Sequence, residues 1–328
     1  MSSLNPKSLY TSIIQGEAKA LAKAITLLES SLETHQEIAN ELLDLCLSHT
    51  GNSLRIGVTG VPGVGKSTFI DAFGDYLISE QHKKVAVLAI DPSSQRTKGS
   101  ILGDKTRMNR LSNSEHAFVR PSPSGDTLGG VASQTRESIL LCEAAGFDIV
   151  MVETVGVGQS ETLVHEMVDF FLLLLLPGAG DELQGIKRGI VEMADMIAIN
   201  KSDTNNQLAK EAKLHYKNAL HLTQSGRQDW EIPVETIDSI SGVNLETVSS
   251  QLELFISSQR ANGSFELNRK KQTENWLTQH IEHVFLQFLK HDAIVQKKLT
   301  GYRKLVADNA HSPRSAANKF LKEVLGKS

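Results

Sequence analysis

Residues 54–68 read LRIGVTGVPGVGKST, and this stretch carries the strongest structural signal in the chain. Its first six residues are mostly apolar, as in a buried strand, and an amphipathic segment, FIDAFGDYLI, follows at 69–78. The pattern GxxxxGKS therefore lies between a strand and a helix, which is the context that phosphate binding requires. Glycines let backbone N–H groups curl around phosphate oxygens, and the amino terminus of a helix adds positive potential. We predict a nucleotide-binding phosphate loop.

The predicted loop gives specific roles to its residues. We expect the whole loop to line the nucleotide: Gly60, Val61, Pro62, Gly63, Val64, Gly65, Lys66, Ser67 and Thr68. Lys66 should reach the β- and γ-phosphates as a point charge, and the hydroxyl of Ser67 should bind Mg²⁺. The alternative is a glycine-rich turn that merely caps a helix.

Five further apolar segments follow the phosphate loop and are separated by stretches that suit helices. They are residues 85–90, 149–153, 170–176, 196–200 and 232–237. Strands that are apolar on both faces and joined by helical crossovers are typical of a parallel sheet covered on each side. The predicted fold class is α/β, with a mostly parallel central sheet flanked by helices.

Both ends of the chain change to a helical pattern. Apolar spacing in 21–28 and 38–45 predicts two amino-terminal helices, and a stripe over 277–289 predicts a helix that covers the sheet or forms a dimer contact. The stretch 257–264, SSQRANGS, is typical of a linker. The predicted organisation has three parts: an amino-terminal helical extension at 1–52, a phosphate-loop domain at 53–257, and a carboxyl-terminal helical region at 258–328.

Residues 200–203, NKSD, indicate which base is bound. The carboxylate of Asp203 can accept hydrogen bonds from N1–H and the 2-amino group of guanine, whereas adenine offers no such pair of donors on that edge. Asn200 and Lys201 should complete this site. The pattern is short, so its position after a strand and downstream of a phosphate loop is what favours guanine over an ordinary polar loop. Together the two motifs predict GTP and GDP as ligands.

Three acidic residues are candidates for a magnesium site, because Mg²⁺ prefers oxygen ligands and usually keeps several waters. Asp91 follows the strand VAVLAI, Asp104 lies in the loop GDKTRM, and Glu153 ends DIVMVE. With Ser67 they form the predicted ligand set, although each acid could instead be a solvated loop carboxylate or a helix cap. Gly156 can offer its backbone N–H to the γ-phosphate, which predicts a switch that senses hydrolysis.

Composition excludes several classes of function. The 34 basic and 38 acidic residues leave a net charge of −4, so no overall field favours nucleic acid. The longest apolar run, 170–176, is far shorter than the roughly 20 residues of a membrane span. Two cysteines without a metal-binding cluster suit a reducing compartment, and residues 1–17 show no secretory signal. We expect a cytoplasmic protein that binds neither nucleic acid nor membrane.

With these motifs in place, residues 55–203 closely resemble the MeaB/ArgK family of P-loop GTPases, which includes the methylmalonic aciduria type A proteins. The resemblance runs through IGVTGVPGVGKST, AIDPSS, GSILGDKTRM, RPSPSGDTLGG, VETVGVGQSE and PGAGDELQGIKRGI. It implies a GTP-hydrolysing chaperone that gates adenosylcobalamin loading and protects a B12-dependent acyl-CoA mutase, chiefly methylmalonyl-CoA mutase. It also implies a homodimer formed through carboxyl-terminal helices.

The resemblance extends to individual residues. Four positions match the magnesium-site and switch residues of the family: Ser67, Asp91, Asp104 and Glu153. Asp203 matches its base-specificity aspartate. The family usually has Ser-Ala in its last guanine-contacting loop, where this chain has Asp238 and Ser239. Backbone N–H groups there could still reach the guanine oxygen.

The predicted hydrolysis site combines Lys66, Asp104, Glu153, Gly156 and Lys187. Lys187 ends the glycine-rich segment 178–187, which is either a relay between nucleotide and mutase or a loop with solvated charges. Gln159 could position the attacking water or simply start a helix. An incomplete site predicts slow basal turnover that a partner accelerates.

Two other functions use a similar phosphate loop. A nickel-delivery GTPase needs clusters of soft or imidazole ligands, which the cysteines and histidines do not form. A small-molecule kinase is disfavoured by NKSD and by the lack of an acceptor pocket with a clear general base.

Overall fold

The computed structural model describes residues 5–90, 108–120, 128–154, 160–178, 188–203, 206–223 and 230–326 of the 328-residue chain. The chain forms two compact units, Met1–Gln272 and Thr273–Ser328. The first unit contains the sheet and the candidate site. The boundaries at 52/53 and 257/258 stay predictions.

The first unit is built on a parallel sheet, as the sequence predicts. Its strands are β1 Leu54–Gly60, β2 Val85–Ile90, β3 Ala117–Arg120, β4 Ile149–Thr154, β5 Phe170–Leu175, β6 Met196–Ile199 and β7 Val234–Thr236. Their order across the sheet is β3-β2-β4-β1-β5-β6-β7, and neighbouring strands all run parallel. Because the strands are parallel, their carboxyl ends meet at one edge, where ligands of such sheets bind.

Helices connect and flank the strands. Those of the first unit are α1 Pro6–Ile14, α2 Ala18–Leu28, α3 Glu33–Cys46, a 3₁₀ turn Leu47–His49, α4 Lys66–Ser79, α5 Asn109–Ser112, α6 Leu128–Ala144, α7 Ser160–His165, α8 Arg188–Met193, α9 Asn206–Thr223 and α10 Leu245–Ala261. Helix α11, Ser264–His291, runs across the boundary between the units, and α12 Ala293–Ala307 and α13 Pro313–Val324 follow in the second. No helix in the described part of the chain combines the length and apolarity needed to cross a bilayer.

Side chains alternate between the two faces of the sheet. In β2, Val85 and Val87 join the core formed with α4 and α10, whereas Ala86 and Leu88 join the core formed with α2, α3 and α6. A third cluster packs β5, β6 and β7 against α9. Burial of each such Val or Leu contributes roughly 1.5–3 kcal/mol. The continuous apolar strands of the sequence therefore follow from coverage on both sides.

Three local features differ from the sequence predictions. The sequence did not predict the short strand β3. Only four of its residues pair with β2 and its burial is partial, so it lacks the continuous apolar run of the other strands. Helix α1 precedes the two predicted amino-terminal helices. The linker predicted at 257–264 is wrong, because α10 continues to Ala261. Gln259 is buried there, and the Arg260 guanidinium lies 4.9 Å from the Phe265 ring centroid. These two polar residues therefore take part in helix packing instead of forming a linker.

The second unit has a small core of its own. Val295, Ala316 and Phe320 are buried, and the ring of Phe320 meets that of Tyr302 edge-on at 5.9 Å. The second-unit part of α11 exposes an apolar stripe at helical spacing: Leu277, Ile281, Val284 and Phe288. Single exposed apolar residues are ordinary, but a stripe of this length is typical of an interface.

Candidate functional site

Segments that are distant in sequence meet at the carboxyl edge of the sheet. The phosphate loop follows β1, Glu153 lies near the end of β4, and residues 200–203 follow β6. The amide of Asn200 joins two of these segments, because its Nδ2 donates to the carbonyl oxygen of Val64 at 2.9 Å. The structure therefore brings the two predicted nucleotide motifs into direct contact.

The loop needs glycine at two positions. Gly60 has φ +149°, and a Cβ there would overlap the carbonyl oxygen of Leu174 in β5 and lie 3.0 Å from Cγ1 of Val64. Gly65 has φ +100°, and its Cβ would lie 2.8 Å from Nδ2 of Asn200. L-residues with side chains rarely adopt such φ values. The sheet and Asn200 thus hold the loop close, and α4 begins immediately after it.

Lys66 lies inside the loop rather than in solvent. Its side chain is buried, and Nζ donates to the carbonyl oxygens of Gly60 at 2.8 Å and Val61 at 3.3 Å. Burial lowers the pKa of Lys66, whereas the charges of Glu153 and Glu161 oppose that shift. The ammonium group is held where the loop closes on itself, and a bound phosphate would replace its carbonyl partners.

Ser67 and Glu153 provide two adjacent oxygen groups. The Ser67 hydroxyl donates to Oε1 of Glu153 at 2.8 Å, across 86 residues of chain. Beside them, the Thr154 hydroxyl donates to Oγ1 of Thr59 at 2.9 Å and ties β4 to β1. Hard oxygen donors next to the phosphate loop fit Mg²⁺. Direct coordination by Ser67 would require it to leave Glu153, which could then hold the ion through water.

The base-binding segment is fixed by its neighbours. Asn200 is buried, and Lys201, with φ +59°, stretches over the loop so that Nζ donates to the carbonyl oxygen of Gly63 at 3.0 Å. The backbone N–H of Ser202 donates to the carbonyl oxygen of Ile237 at 3.2 Å. Asp203 is exposed at the end of this segment, where a ligand can reach its carboxylate.

Asp238 and Ser239 also lie at this edge. The Ser239 backbone N–H and hydroxyl both donate to Oδ1 of Asn200, at 3.1 and 2.8 Å. Both residues are buried. Asn200 therefore links the phosphate loop to the segment after β7, and Ser239 takes a role in orienting that amide.

The structure tests the placement of only some predicted site residues. Of the exposed ones, Pro62, Gly63 and Thr68 lie at the loop surface and at the start of α4. Asp91, Asp104, Gly156 and Lys187 lie outside the described residues, as does Gln159. Their roles stay predictions.

Sequence reasoning missed Glu161. It lies in the first turn of α7, is buried, and its charge acts on Lys66. Its place within VETVGVGQSE was visible in the sequence, but an acidic residue after a glycine-rich stretch is also a common first-turn residue of a helix. Burial next to a cation distinguishes a site residue from an ordinary first-turn residue, and this burial becomes evident only in the fold.

Comparison with known proteins decides the family. The family model for the methylmalonyl-CoA mutase-associated GTPase MeaB matches residues 21–293. This chain belongs to the MeaB family. GTPase ArgK of Escherichia coli is 45% identical over 307 residues, covering 93% of this chain and 92% of the relative. The mitochondrial methylmalonic aciduria type A homolog of Mus musculus is 42% identical over 325 residues, covering 96% and 78%.

A solved structure is similar to this MeaB-family protein over almost its whole length. The crystal structure of LAO/AO transport system kinase is 36% identical, covers 99% of each chain and has a TM-score of 0.77. These likenesses confirm the family resemblance and the fold class. Membership also makes this protein one of a family of GTPases.

Proposed function

We propose that this protein binds GTP with Mg²⁺, hydrolyses it slowly when alone, and acts as a chaperone for a B12-dependent acyl-CoA mutase. The client is chiefly methylmalonyl-CoA mutase, and the nucleotide gates adenosylcobalamin loading and protects the mutase during turnover. The family model, named for association with that mutase, and the murine relative support this client. The protein acts in the cytoplasm, which suits Cys46 and Cys142, both buried free thiols.

One observation carries the nucleotide part of the proposal. Asn200 donates to Val64 of the phosphate loop while accepting from Ser239, so triphosphate and base sites are held in fixed relation. A nucleotide has its phosphates and its purine at a fixed separation, and a rigid link between the two binding segments would let it bind both at little entropic cost. This arrangement favours a nucleoside triphosphate over a small phosphorylated molecule.

The residues of the site suit hydrolysis by charge neutralisation. Mg²⁺ and Lys66 would neutralise charge on the β- and γ-phosphates, with Ser67 and Glu153 holding the ion. Asp91 and Asp104 are proposed to complete the ion site, and Gly156 to contact the γ-phosphate. Among the described residues none is placed to orient the attacking water, so we expect slow basal turnover and a partner that completes the site.

We propose a homodimer formed through the exposed stripe of α11. Leu277, Ile281, Val284 and Phe288 lie on neighbouring turns, and each is at least 45% exposed. Pairing two such stripes would remove several large side chains from water. Sedimentation should show a dimer at micromolar concentration, and Ile281→Lys should give a monomer. A wild-type monomer under these conditions would contradict this part of the proposal.

The mutase part is tested by GTP turnover with and without purified methylmalonyl-CoA mutase. The mutase should accelerate phosphate release by about tenfold or more. Lys187→Ala should lose most of the stimulation, because we assign Lys187 to the relay between nucleotide and mutase, and an unchanged stimulation would remove the relay from the proposal. Lys210→Ala, at an exposed position of α9, is the matched control and should behave as wild type. If the mutase leaves wild-type turnover unchanged, the proposed client is wrong, whereas GTP binding is unaffected.

A further inference from the structure

Asp238 uses only one of its two carboxylate oxygens within the described structure. Oδ1 accepts hydrogen bonds from the backbone N–H groups of Ile240 and Ser241, at 2.7 and 3.0 Å. The turn is closed further by the Gly242 N–H, which donates to the carbonyl oxygen of Asp238 at 3.0 Å. Oδ1 therefore has a complete structural role, as in an Asx turn.

The other oxygen, Oδ2, has no such role. It is buried, and no described residue donates a hydrogen bond to it. Asp238 as a whole is only 2% exposed. Burial raises the pKa of its carboxyl, but hydrogen bonds from the backbone N–H groups of Ser241 and Ile240 outweigh this, and the pKa is lowered. An ionised, buried oxygen without a donor is costly, which points to a ligand that supplies one.

The position of Asp238 identifies that ligand. Asp203, the acid assigned to guanine, lies beside it, and the next residue, Ser239, is bonded to Asn200 of the same site. Guanine carries three hydrogens on this edge, one on N1 and two on the 2-amino group. The two oxygens of Asp203 can accept only one hydrogen each in the bidentate arrangement. One hydrogen of the 2-amino group is then left over.

We propose that Asp238 is a second base-recognition residue, whose Oδ2 accepts the remaining hydrogen of the guanine 2-amino group. This inference rests on the proposed GTP site and adds a contact to it. Three donors would meet three acceptor oxygens, so the departure from Ser-Ala at 238–239 strengthens selection for a 2-amino purine. Asp238 contacts the base only and takes no part in phosphate transfer.

Replacing Asp238 by asparagine separates base recognition by Oδ2 from turn formation by Oδ1. Asp238→Asn keeps an Oδ1 that accepts from Ile240 and Ser241, and asparagine is as suitable as aspartate in an Asx turn. It replaces Oδ2 by an amide N–H₂, so that a donor would face the 2-amino group of guanine, which is also a donor. The variant should fold normally and lose only the contact with the amino group. Asp292→Asn is the matched control, because Asp292 caps α12 through the same kind of bonds, at 2.9 and 2.8 Å.

The test compares GDP with inosine diphosphate, which lacks the 2-amino group, by calorimetry in the presence of Mg²⁺. In Asp238→Asn, GDP affinity should fall about tenfold while affinity for inosine diphosphate stays unchanged, so their ratio shrinks. Asp292→Asn should leave both affinities as in wild type. Equal weakening of both nucleotides, or an unchanged ratio, would overturn the inference and leave the GTP site intact. Failure of wild type to bind GDP would instead contradict the proposed function itself.

Discussion

Replacing Gly60 by alanine tests whether the sheet beneath the phosphate loop dictates its shape. The new Cβ would overlap the carbonyl oxygen of Leu174, which is main chain in a buried strand and cannot rotate away. It would also lie 3.0 Å from Val64. Overpacking of this kind costs about 1–3 kcal/mol, and the strain of a side chain at φ +149° adds about 1–3 kcal/mol. The expected loss of unfolding free energy is therefore about 2–6 kcal/mol.

Gly63→Ala is the matched control in the same loop. Gly63 also has a positive φ, +81°, but a Cβ there would meet nothing within 4 Å. Only the conformational strain remains, which is about 1–2 kcal/mol. Urea unfolding of both variants measures the difference, and calorimetry with GDP and Mg²⁺ measures the accompanying loss of affinity, which should be larger for Gly60→Ala. Equal unfolding free energies for the two variants would refute the claim that close contact with β5 shapes the loop.

Three further predictions concern other parts of the first unit. Arg269→Ala should lower the unfolding free energy in urea by about 3–5 kcal/mol, because its Nη2 lies 2.6 Å from the buried carboxylate of Asp169; a loss below about 1 kcal/mol would contradict this. Burial raises the pKa of Glu137 to about 7 from an ordinary 4.5, against a hydrogen bond from Ser133, so wild-type stability should fall as pH rises between those values. Relative to wild type, the free energy of unfolding of Glu137→Gln should rise by up to about 1.4 kcal/mol per pH unit in that window. An equal difference in unfolding free energy at pH 5 and pH 8 would contradict the raised pKa of Glu137. Ser67→Ala should weaken GDP binding severalfold with Mg²⁺ and leave it unchanged in a chelator, whereas equal weakening in both conditions would exclude Ser67 as an ion ligand.

The sequence was sufficient for the framework of the site. The strand before the phosphate loop and the helix after it are confirmed, and so are the apolar strands that place 153 and 200 at one sheet edge. These features depend on local patterns, namely continuous apolar runs and a glycine-rich turn, which short stretches of sequence contain in full.

Contacts between distant residues could not be predicted in this way. Asn200 and Val64 are 136 residues apart, and nothing in NKSD shows which loop carbonyl its amide meets. The burial of Glu161 and the unused oxygen of Asp238 likewise depend on packing by several elements. The linker error at 257–264 has the same origin, since only the fold shows that α10 continues to Ala261 and buries Gln259.

Selection of guanine by the linked phosphate and base segments is measured most directly by calorimetry of GDP and ADP with Mg²⁺. Wild type should bind GDP, and ADP at least about 100-fold more weakly, because adenine would leave Asp203 without its two donors. Asp203→Asn should remove most of this preference, and Asp308→Asn, at an exposed position after α12, should keep it. Absence of GDP binding, or ADP binding as tight as GDP binding, would contradict a GTP site in this protein.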